Sequence, residues 1–230
     1  MKPLIIFDCD GVLVDSESIA SAVFSEHLIK AGFSLTPQQC FERFTGLSLD
    51  SCRALIEMES ATRLPEEFFP QLQRDTLVRF SRQLEPVRGV TEVLDFLLEQ
   101  RWSFCVASSG SYEKMATTLK KTGLQKYFTN RIFSASDVQR GKPAPDLFLH
   151  AARMQGYCPA HCIVIEDSAP GVLAALAAGM QVCVFGEMHG EQHAISADAQ
   201  RFTCMSELPT ILASIEAGLF TSGGTDANSN

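Results

Sequence analysis

The sequence predicts an α/β fold: a Rossmann-like parallel sheet with helices on both faces and a small all-helical cap inserted after the first strand. Two observations predict it. Short, continuous apolar runs alternate with helical patterns through most of the chain, as is typical of parallel sheets whose strands are buried on both faces. The stretch from about residue 16 to 84, in contrast, is a series of helical patterns without a convincing strand.

Short apolar runs are the expected strands of the sheet. They are Leu4–Phe7, Phe104–Ala107, Ile132–Phe133, Ile163–Ile165 and Val182–Phe185. A helix is expected from Val90, where apolar residues recur at the i, i+3, i+4, i+7 and i+8 positions of an amphipathic face. Further helices are expected near 112–122, 146–155, 170–178 and 206–217, each followed by a glycine that suits a helix C-cap.

These patterns also predict how the chain divides into domains. We expect residues 1–15 and 86–220 to form the α/β core and residues 16–85 to form the helical cap. Residues 221–230 (TSGGTDANSN) have no large apolar side chain to anchor them, so we expect a disordered tail there.

Composition restricts the possible partners. The 230 residues include 19 Lys and Arg against 27 Asp and Glu, which gives a formal net charge of -8 and no overall attraction for nucleic acid. No segment approaches the ~18–20 apolar residues of a membrane-spanning helix. Asp8 interrupts the first apolar run too early for a signal peptide, so we expect a cytoplasmic protein. We also expect a monomer, with an oligomer left open.

Carboxylates follow the first and fourth expected strands. Asp8 and Asp10 lie two residues apart beside Gly11, which permits a sharp turn, and Glu166 and Asp167 end a buried run. The alternative is a turn with a helix cap, but two charges beside an apolar strand need a compensating partner. Asp8, Asp10 and Asp167 together would supply the hard oxygen ligands that Mg²⁺ prefers.

Polar loops follow two other expected strands. Ser108–Ser111 (SSGS) combines small hydroxyls with backbone N–H groups that can bind a phosphate, although a plain serine N-cap explains the run equally well. In the segment Gly141–Phe148, prolines stiffen the loop and would hold Lys142 at a fixed point. The alternative for this lysine is an ordinary solvated position.

These segments, in this order, resemble the haloacid dehalogenase (HAD) superfamily over about residues 4–185. Within it, Lys142–Asp146 (KPAPD) and Glu166–Ser168 (EDS) are similar to the β-phosphoglucomutase and phosphosugar phosphatase branch. The motif segments, together with the stretch Phe41–Gly46 (FERFTG), resemble bacterial sugar-phosphate phosphatases, 6-phosphogluconate phosphatases among them.

The resemblance implies a role for each site residue. Asp8 would be the nucleophile that forms an aspartyl-phosphate, and Asp10 the general acid and base. Asp8, Asp10, through its backbone carbonyl, and Asp167 would hold Mg²⁺. Glu166 would bind the metal directly or support its ligands. Ser108, Ser109 and Lys142 would bind the phosphoryl oxygens of a small phosphorylated substrate, with Arg43 and Arg53 of the cap as candidate specificity contacts.

The same resemblance leaves alternatives to a phosphatase. A phosphomutase of the β-phosphoglucomutase type carries a cap arginine at the place where this chain has Leu49, the last residue of Gly46–Leu49 (GLSL). It also carries a cap-hinge histidine, which the run Ser16–Ile19 (SESI) lacks. Both differences favour hydrolysis. A haloacid dehalogenase lacks the second aspartate of the first motif, so Asp10 argues against that activity. A binding module without activity would be expected to have lost part of the site.

Overall fold

The structure is a computed structural model that describes residues 2–45, 47, 49–60, 63–186 and 199–222. Its strands are β1 (Leu4–Phe7), β2 (Ser103–Ser108), β3 (Ile132–Ser134), β4 (Cys162–Glu166), β5 (Gln181–Phe185) and β6 (Gln200–Phe202). They form one parallel sheet in the order β3-β2-β1-β4-β5-β6. This is the order of the doubly wound α/β fold, so the predicted fold class is confirmed.

The helices after residue 86 overlap the predicted ones, and the others lie in the stretch from about residue 16 to 84, which is predicted to be helical. They are α1 (Glu17–Lys30), α2 (Pro37–Phe44), α3 (Leu49–Ser60), α4 (Phe68–Gln83), α5 (Val90–Glu99), α6 (Tyr112–Lys121), α7 (Asp146–Met154), α8 (Ala169–Ala177) and α9 (Leu208–Ser222). None of the helices in the described ranges has the length and apolar character needed to cross a membrane.

The chain folds as two compact units. The sheet unit takes the described residues of Met1–Leu13, Val87–Ser111 and Lys126–Asn230, and the helical unit takes those of Val14–Pro86 and Tyr112–Gln125. Helix α6 belongs to the helical unit because it packs on α4, where Lys114 lies over the ring of Phe80. The domain boundaries at residues 16 and 85 stay a prediction.

The core of the sheet unit lies between the strands and the helices that cover them. On one face, alternate residues of β1, such as Leu4 and Ile6, pack with Phe148 of α7 and Val172 of α8. Strand side chains alternate between the two faces of the sheet, so neighbouring residues of β1 point to the opposite face. The strands are therefore buried on both sides, which explains their continuous apolar sequences.

The helical unit has its own aromatic core. Phe24, Phe44, Phe68 and Phe69 are buried together, with ring centroids 4.9 to 6.2 Å apart between neighbouring pairs. Burial of this core stabilises the packing of α1–α4 against one another without a sheet. Of the predicted tail, residues 221–222 end α9, and residues 223–230 lie outside the described residues.

Candidate active site

The candidate site lies at the carboxyl edge of the sheet. Asp8 directly follows β1, while Ser108 and Glu166 are the last residues of β2 and β4. Because Phe7 pairs in register with Val106 and Ile165, β2 ends two residues and β4 one residue beyond the end of β1, at the same edge of the sheet. Ligands of open α/β sheets bind at this edge, where the strand order reverses.

Lys142 joins two of these strand ends. Its side chain is only 4% exposed, and its Nζ lies 2.5 Å from Oδ1 of Asp8 and 2.6 Å from Oε1 of Glu166. The ammonium group also lies over the ring of Phe148, 4.8 Å from its centroid. The loop before α7 therefore places one cation between two carboxylates that are far apart in sequence.

Burial and charge shift the pKa values of this cluster. Burial raises the pKa of Asp8 to about 7, because the carboxylate loses hydration. Lys142 opposes that rise, whereas the charges of Glu166 and Asp10 add to it. Burial alone would lower the pKa of Lys142, but the charges of Asp8 and Glu166 raise it above the usual range. Lys142 is therefore a fixed positive charge.

The second oxygen of Glu166 is held by the start of α8. Its Oε2 accepts hydrogen bonds from the backbone N–H groups of Asp167 and Ser168, at 2.9 and 2.8 Å, and from Oγ of Ser168 at 2.9 Å. Gly171 makes room for this carboxylate, because a Cβ there would lie 1.7 Å from Oε1. Glu166 thus has protein partners on both oxygens.

Asp167 packs against the first loop of the site. Gly11 has a φ of +75°, and a Cβ at that position would lie 1.8 Å from Oδ2 of Asp167. Glycine at position 11 therefore serves both the left-handed turn and the close approach of the Asp167 carboxylate. Asp10, the neighbour of Gly11, is partly buried in the same loop.

Three groups at the candidate site are oxygen donors of the kind that Mg²⁺ prefers. In the part of the chain that the structure describes, no group of three or more His, Cys, Asp or Glu side chains is arranged to hold a metal. The carboxylates of Asp8 and Asp167 and the main-chain carbonyl of Asp10 are hard oxygen donors. Mg²⁺ in proteins often has one or two carboxylates and keeps several waters, so this set fits it.

Small hydroxyl groups organise the loop Ser108–Ser111, which we call the phosphate loop after the phosphate binding that its sequence predicts. Ser108 is buried, and its Oγ accepts a hydrogen bond from the backbone N–H of Gly110 at 3.1 Å. The carbonyl of Gly110 accepts a hydrogen bond from Oγ of Ser134 at 2.8 Å. Ser109 is exposed at the tip of this loop.

Residues 5–185 match the family model described as haloacid dehalogenase-like hydrolase. The chain belongs to the haloacid dehalogenase-like hydrolase family. The resemblance read from the four motif segments is thereby confirmed.

Individual proteins of known sequence or structure agree with this assignment. This hydrolase is 31% identical over 208 residues to 6-phosphogluconate phosphatase of Escherichia coli K12, which covers 90% of this chain and 93% of that protein. It is 30% identical to hexitol phosphatase A of the same organism, and this match covers 77% of this chain and 80% of that protein. It also resembles a HAD family hydrolase from Deinococcus radiodurans R1, whose structure was solved with bound phosphate and sodium. The TM-score is 0.80 at 30% identity, and the match covers 93% of this chain and 96% of that one.

The arginines predicted as specificity contacts lie in the helical unit of this hydrolase, where both have partners. Arg43 forms an ion pair with Glu59. Arg53 pairs with Glu57 at 3.2 Å and donates to the carbonyl of Leu64 at 2.9 Å. Both arginines therefore have partners within the unit, and their contact with substrate stays a prediction.

Sequence reasoning assigned no role to some residues that support the site. Ser168 is recognisable as the N-cap of α8, since it precedes Ala-Pro-Gly and its Oγ accepts from the Gly171 N–H at 3.3 Å. Its bond to Glu166 depends on the fold. Ser134 has no sequence signal as a support for the phosphate loop, because its bond to Gly110 arises from the pairing of β2 with β3.

Proposed function

We propose that this chain is a Mg²⁺-dependent phosphatase that hydrolyses small phosphorylated metabolites, with sugar phosphates such as 6-phosphogluconate as substrates. The observation that carries the proposal is the buried Asp8–Lys142–Glu166 cluster at the sheet edge of a HAD-like hydrolase. Relatives that match most of the chain are named phosphatases, and the chain is accordingly a phosphoric monoester hydrolase.

Asp8 is the nucleophile in this proposal. Its carboxylate attacks the phosphorus, the bond to the leaving oxygen breaks, and an aspartyl-phosphate forms that water later hydrolyses. Attack requires the ionised carboxylate, although burial favours the neutral form of Asp8. The ammonium of Lys142, 2.5 Å from Oδ1 of Asp8, favours the ionised form.

Asp10 is the general acid and base in this proposal. It gives a proton to the leaving alcohol oxygen and then takes one from the water that attacks the aspartyl-phosphate. Its partly buried position two residues after Asp8 places it on the same loop as the nucleophile. Proton transfer of this kind contributes typically ~10²–10⁴-fold to the rate.

An anionic nucleophile approaching an anionic phosphate needs positive charge and hydrogen-bond donors. Lys142, Ser108 and the backbone N–H of Ser109 supply them to the phosphoryl oxygens. Asp8, Asp167 and the carbonyl of Asp10 would hold Mg²⁺. Glu166 would hold Lys142 in place through the ion pair between them. When bound, the ion supplies further charge neutralisation.

The proposed substrate class is supported by the names of the relatives and not by contacts in the cap. Escherichia coli proteins named as 6-phosphogluconate phosphatase and hexitol phosphatase A are both about 30% identical to this chain. Phosphate esters of sugars, sugar acids and sugar alcohols are therefore the compounds to test first. Arg43 and Arg53 remain candidate contacts for their hydroxyl or carboxylate groups.

A substrate panel tests the proposal. Phosphate release is measured for 6-phosphogluconate, hexose and hexitol phosphates, phosphoglycolate and nucleotides, with Mg²⁺ and with EDTA. We expect a sugar-type phosphate to be hydrolysed fastest and EDTA to abolish its turnover. Turnover of a haloacid that survives EDTA would contradict the proposal. Isomerisation of a hexose phosphate that exceeds phosphate release would identify a mutase instead.

A further inference from the structure

Ser134 links the end of β3 to the phosphate loop on the neighbouring strand. It is the last residue of β3, pairs in register with Ser108, and is only 1% exposed. Its Oγ donates a hydrogen bond of 2.8 Å to the carbonyl of Gly110. A buried hydroxyl on one strand thus restrains a loop that belongs to another.

This bond completes the restraint of the Gly110 backbone. The N–H of Gly110 already donates to Oγ of Ser108 at 3.1 Å. With Ser134 bound to the carbonyl, both main-chain polar groups of this glycine have a serine hydroxyl as their partner. Glycine is otherwise the residue with the most backbone freedom, so these bonds remove freedom where it is greatest.

The surroundings of Ser134 direct its proton to Gly110. Its Oγ accepts from the backbone N–H of Ser136 at 3.2 Å and from Oγ of Ser136 at 2.9 Å. Its own N–H donates to Oδ2 of Asp137 at 3.0 Å. A hydroxyl has one proton to donate, and the Gly110 carbonyl can only accept, so the orientation of Ser134 is fixed.

We propose that Ser134 is a positioning residue that preorganises the phosphate loop, so that the N–H of Ser109 is already aimed when a phosphoryl group arrives. The inference rests on the proposed function, since it needs this loop to bind phosphate. Ser109 lies between Ser108 and Gly110, which are tied to each other, and Gly110 is tied to Ser134. A preorganised donor binds an anion without the cost of ordering the loop.

The test measures inhibition by inorganic phosphate, together with kcat, KM and Tm, for Ser134→Ala, Ser108→Ala and Thr129→Ala. Thr129→Ala is the control, because Thr129 is exposed and precedes β3 at the end of the strand opposite Ser134. We expect Ser134→Ala to raise Ki for phosphate and KM about three- to tenfold, the loss expected for one hydrogen bond. Thr129→Ala should keep the wild-type Ki and KM.

The outcomes separate this inference from the proposed function. If Ser108→Ala weakens phosphate binding and Ser134→Ala lowers only Tm, Ser134 is merely structural and the inference is wrong. If neither Ser108→Ala nor Ser134→Ala changes Ki while the wild-type protein releases phosphate, the loop does not bind the phosphoryl group, and the inference is wrong although the proposed function stands. If the wild-type protein releases no phosphate from any ester, the proposed function is wrong. Ser134→Cys, which fills the same space with a weaker donor, gives the same measurement if Ser134→Ala does not fold.

Discussion

The carboxylate of Glu166 has no exposed surface, and each of its oxygens is held by a different part of the chain. One oxygen binds Lys142, and the other accepts three hydrogen bonds from residues 167 and 168. A buried carboxylate is costly unless it is paired in this way. Its full set of partners makes Glu166 the residue that fixes where the Lys142 ammonium lies.

The variant Gly171→Ala, which adds one methyl group, tests whether the position of the Glu166 carboxylate matters for turnover. In Gly171→Ala, the added Cβ would lie 1.7 Å from Oε1 and 1.9 Å from Cδ of Glu166, so the carboxylate must move. We expect kcat/KM to fall roughly 10²-fold, as for a catalytic group misplaced by about 1 Å. Steady-state kinetics with circular dichroism spectra would measure this effect in folded protein.

A variant on the same helix is the control for that substitution. Leu173 of α8 is 41% exposed, and we expect Leu173→Ala to keep wild-type kcat/KM. If Gly171→Ala is as active as Leu173→Ala, the position of Glu166 does not matter for turnover.

At the scale of elements, helix α2 of the helical unit begins with a reciprocal cap. Oγ1 of Thr36 accepts from the N–H of Gln39 at 3.2 Å, and the N–H of Thr36 donates to Oε1 of Gln39 at 2.9 Å. Pro37 follows at the first helical position, where its missing N–H costs nothing. The start of α2 is therefore specified by local sequence.

Removing this cap should destabilise the protein without changing the chemistry. We expect Thr36→Ala to lower the free energy of unfolding by about 1 kcal/mol, because an N–H of the first turn loses its acceptor. Urea unfolding measures the effect, and Thr36→Ser, which keeps the hydroxyl, should stay near the wild-type value. Equal losses in the Ala and Ser variants would show that the cap does not stabilise α2.

Elements with strong local patterns could be predicted from the sequence, and elements set by distant contacts could not. The run Phe104–Ala107 falls within β2, Ser103–Ser108, because strands buried on both faces are continuously apolar. Strand β6, Gln200–Phe202, was not predicted, since it has a single apolar residue and forms by pairing with β5. The grouping of α6 with the helical unit likewise depends on packing against α4.

The same division applies to the candidate site. Asp8, Lys142 and Glu166 could be named from motifs at the ends of expected strands, and the structure brings them together. The supporting roles of Ser134 and Gly171 could not be predicted, because each depends on a side chain or carbonyl that only the folded chain brings near.

At the scale of the whole molecule, the cysteines report how the chain is packed. All eight are thiols without disulfides; six of them are buried, whereas Cys158 and Cys204 are exposed. Burial raises the pKa of Cys162 and of Cys183 to about 12, whereas a hydrogen bond to Ser206 lowers the pKa of Cys204. The buried thiols are therefore unreactive near neutral pH, because the thiolate is the nucleophile.

Thiol titration measures this packing directly. With an aromatic disulfide reagent at neutral pH, we expect Cys158 and Cys204 to react in the native protein and all eight thiols to react after denaturation. Reaction of more than two cysteine thiols per native protein would contradict the described burial. The double variant Cys158→Ser/Cys204→Ser should react only when it is unfolded.

The most direct test of the account is whether Asp8 carries the phosphoryl group. Wild-type, Asp8→Asn and Asp15→Asn proteins are mixed with a radiolabelled phosphate ester and Mg²⁺, quenched in acid and assayed for protein-bound label and released phosphate. Asp15 lies exposed on the same loop and serves as the control. We expect label and turnover in the wild-type and Asp15→Asn proteins and neither in Asp8→Asn. Turnover near the wild-type rate in Asp8→Asn would contradict it.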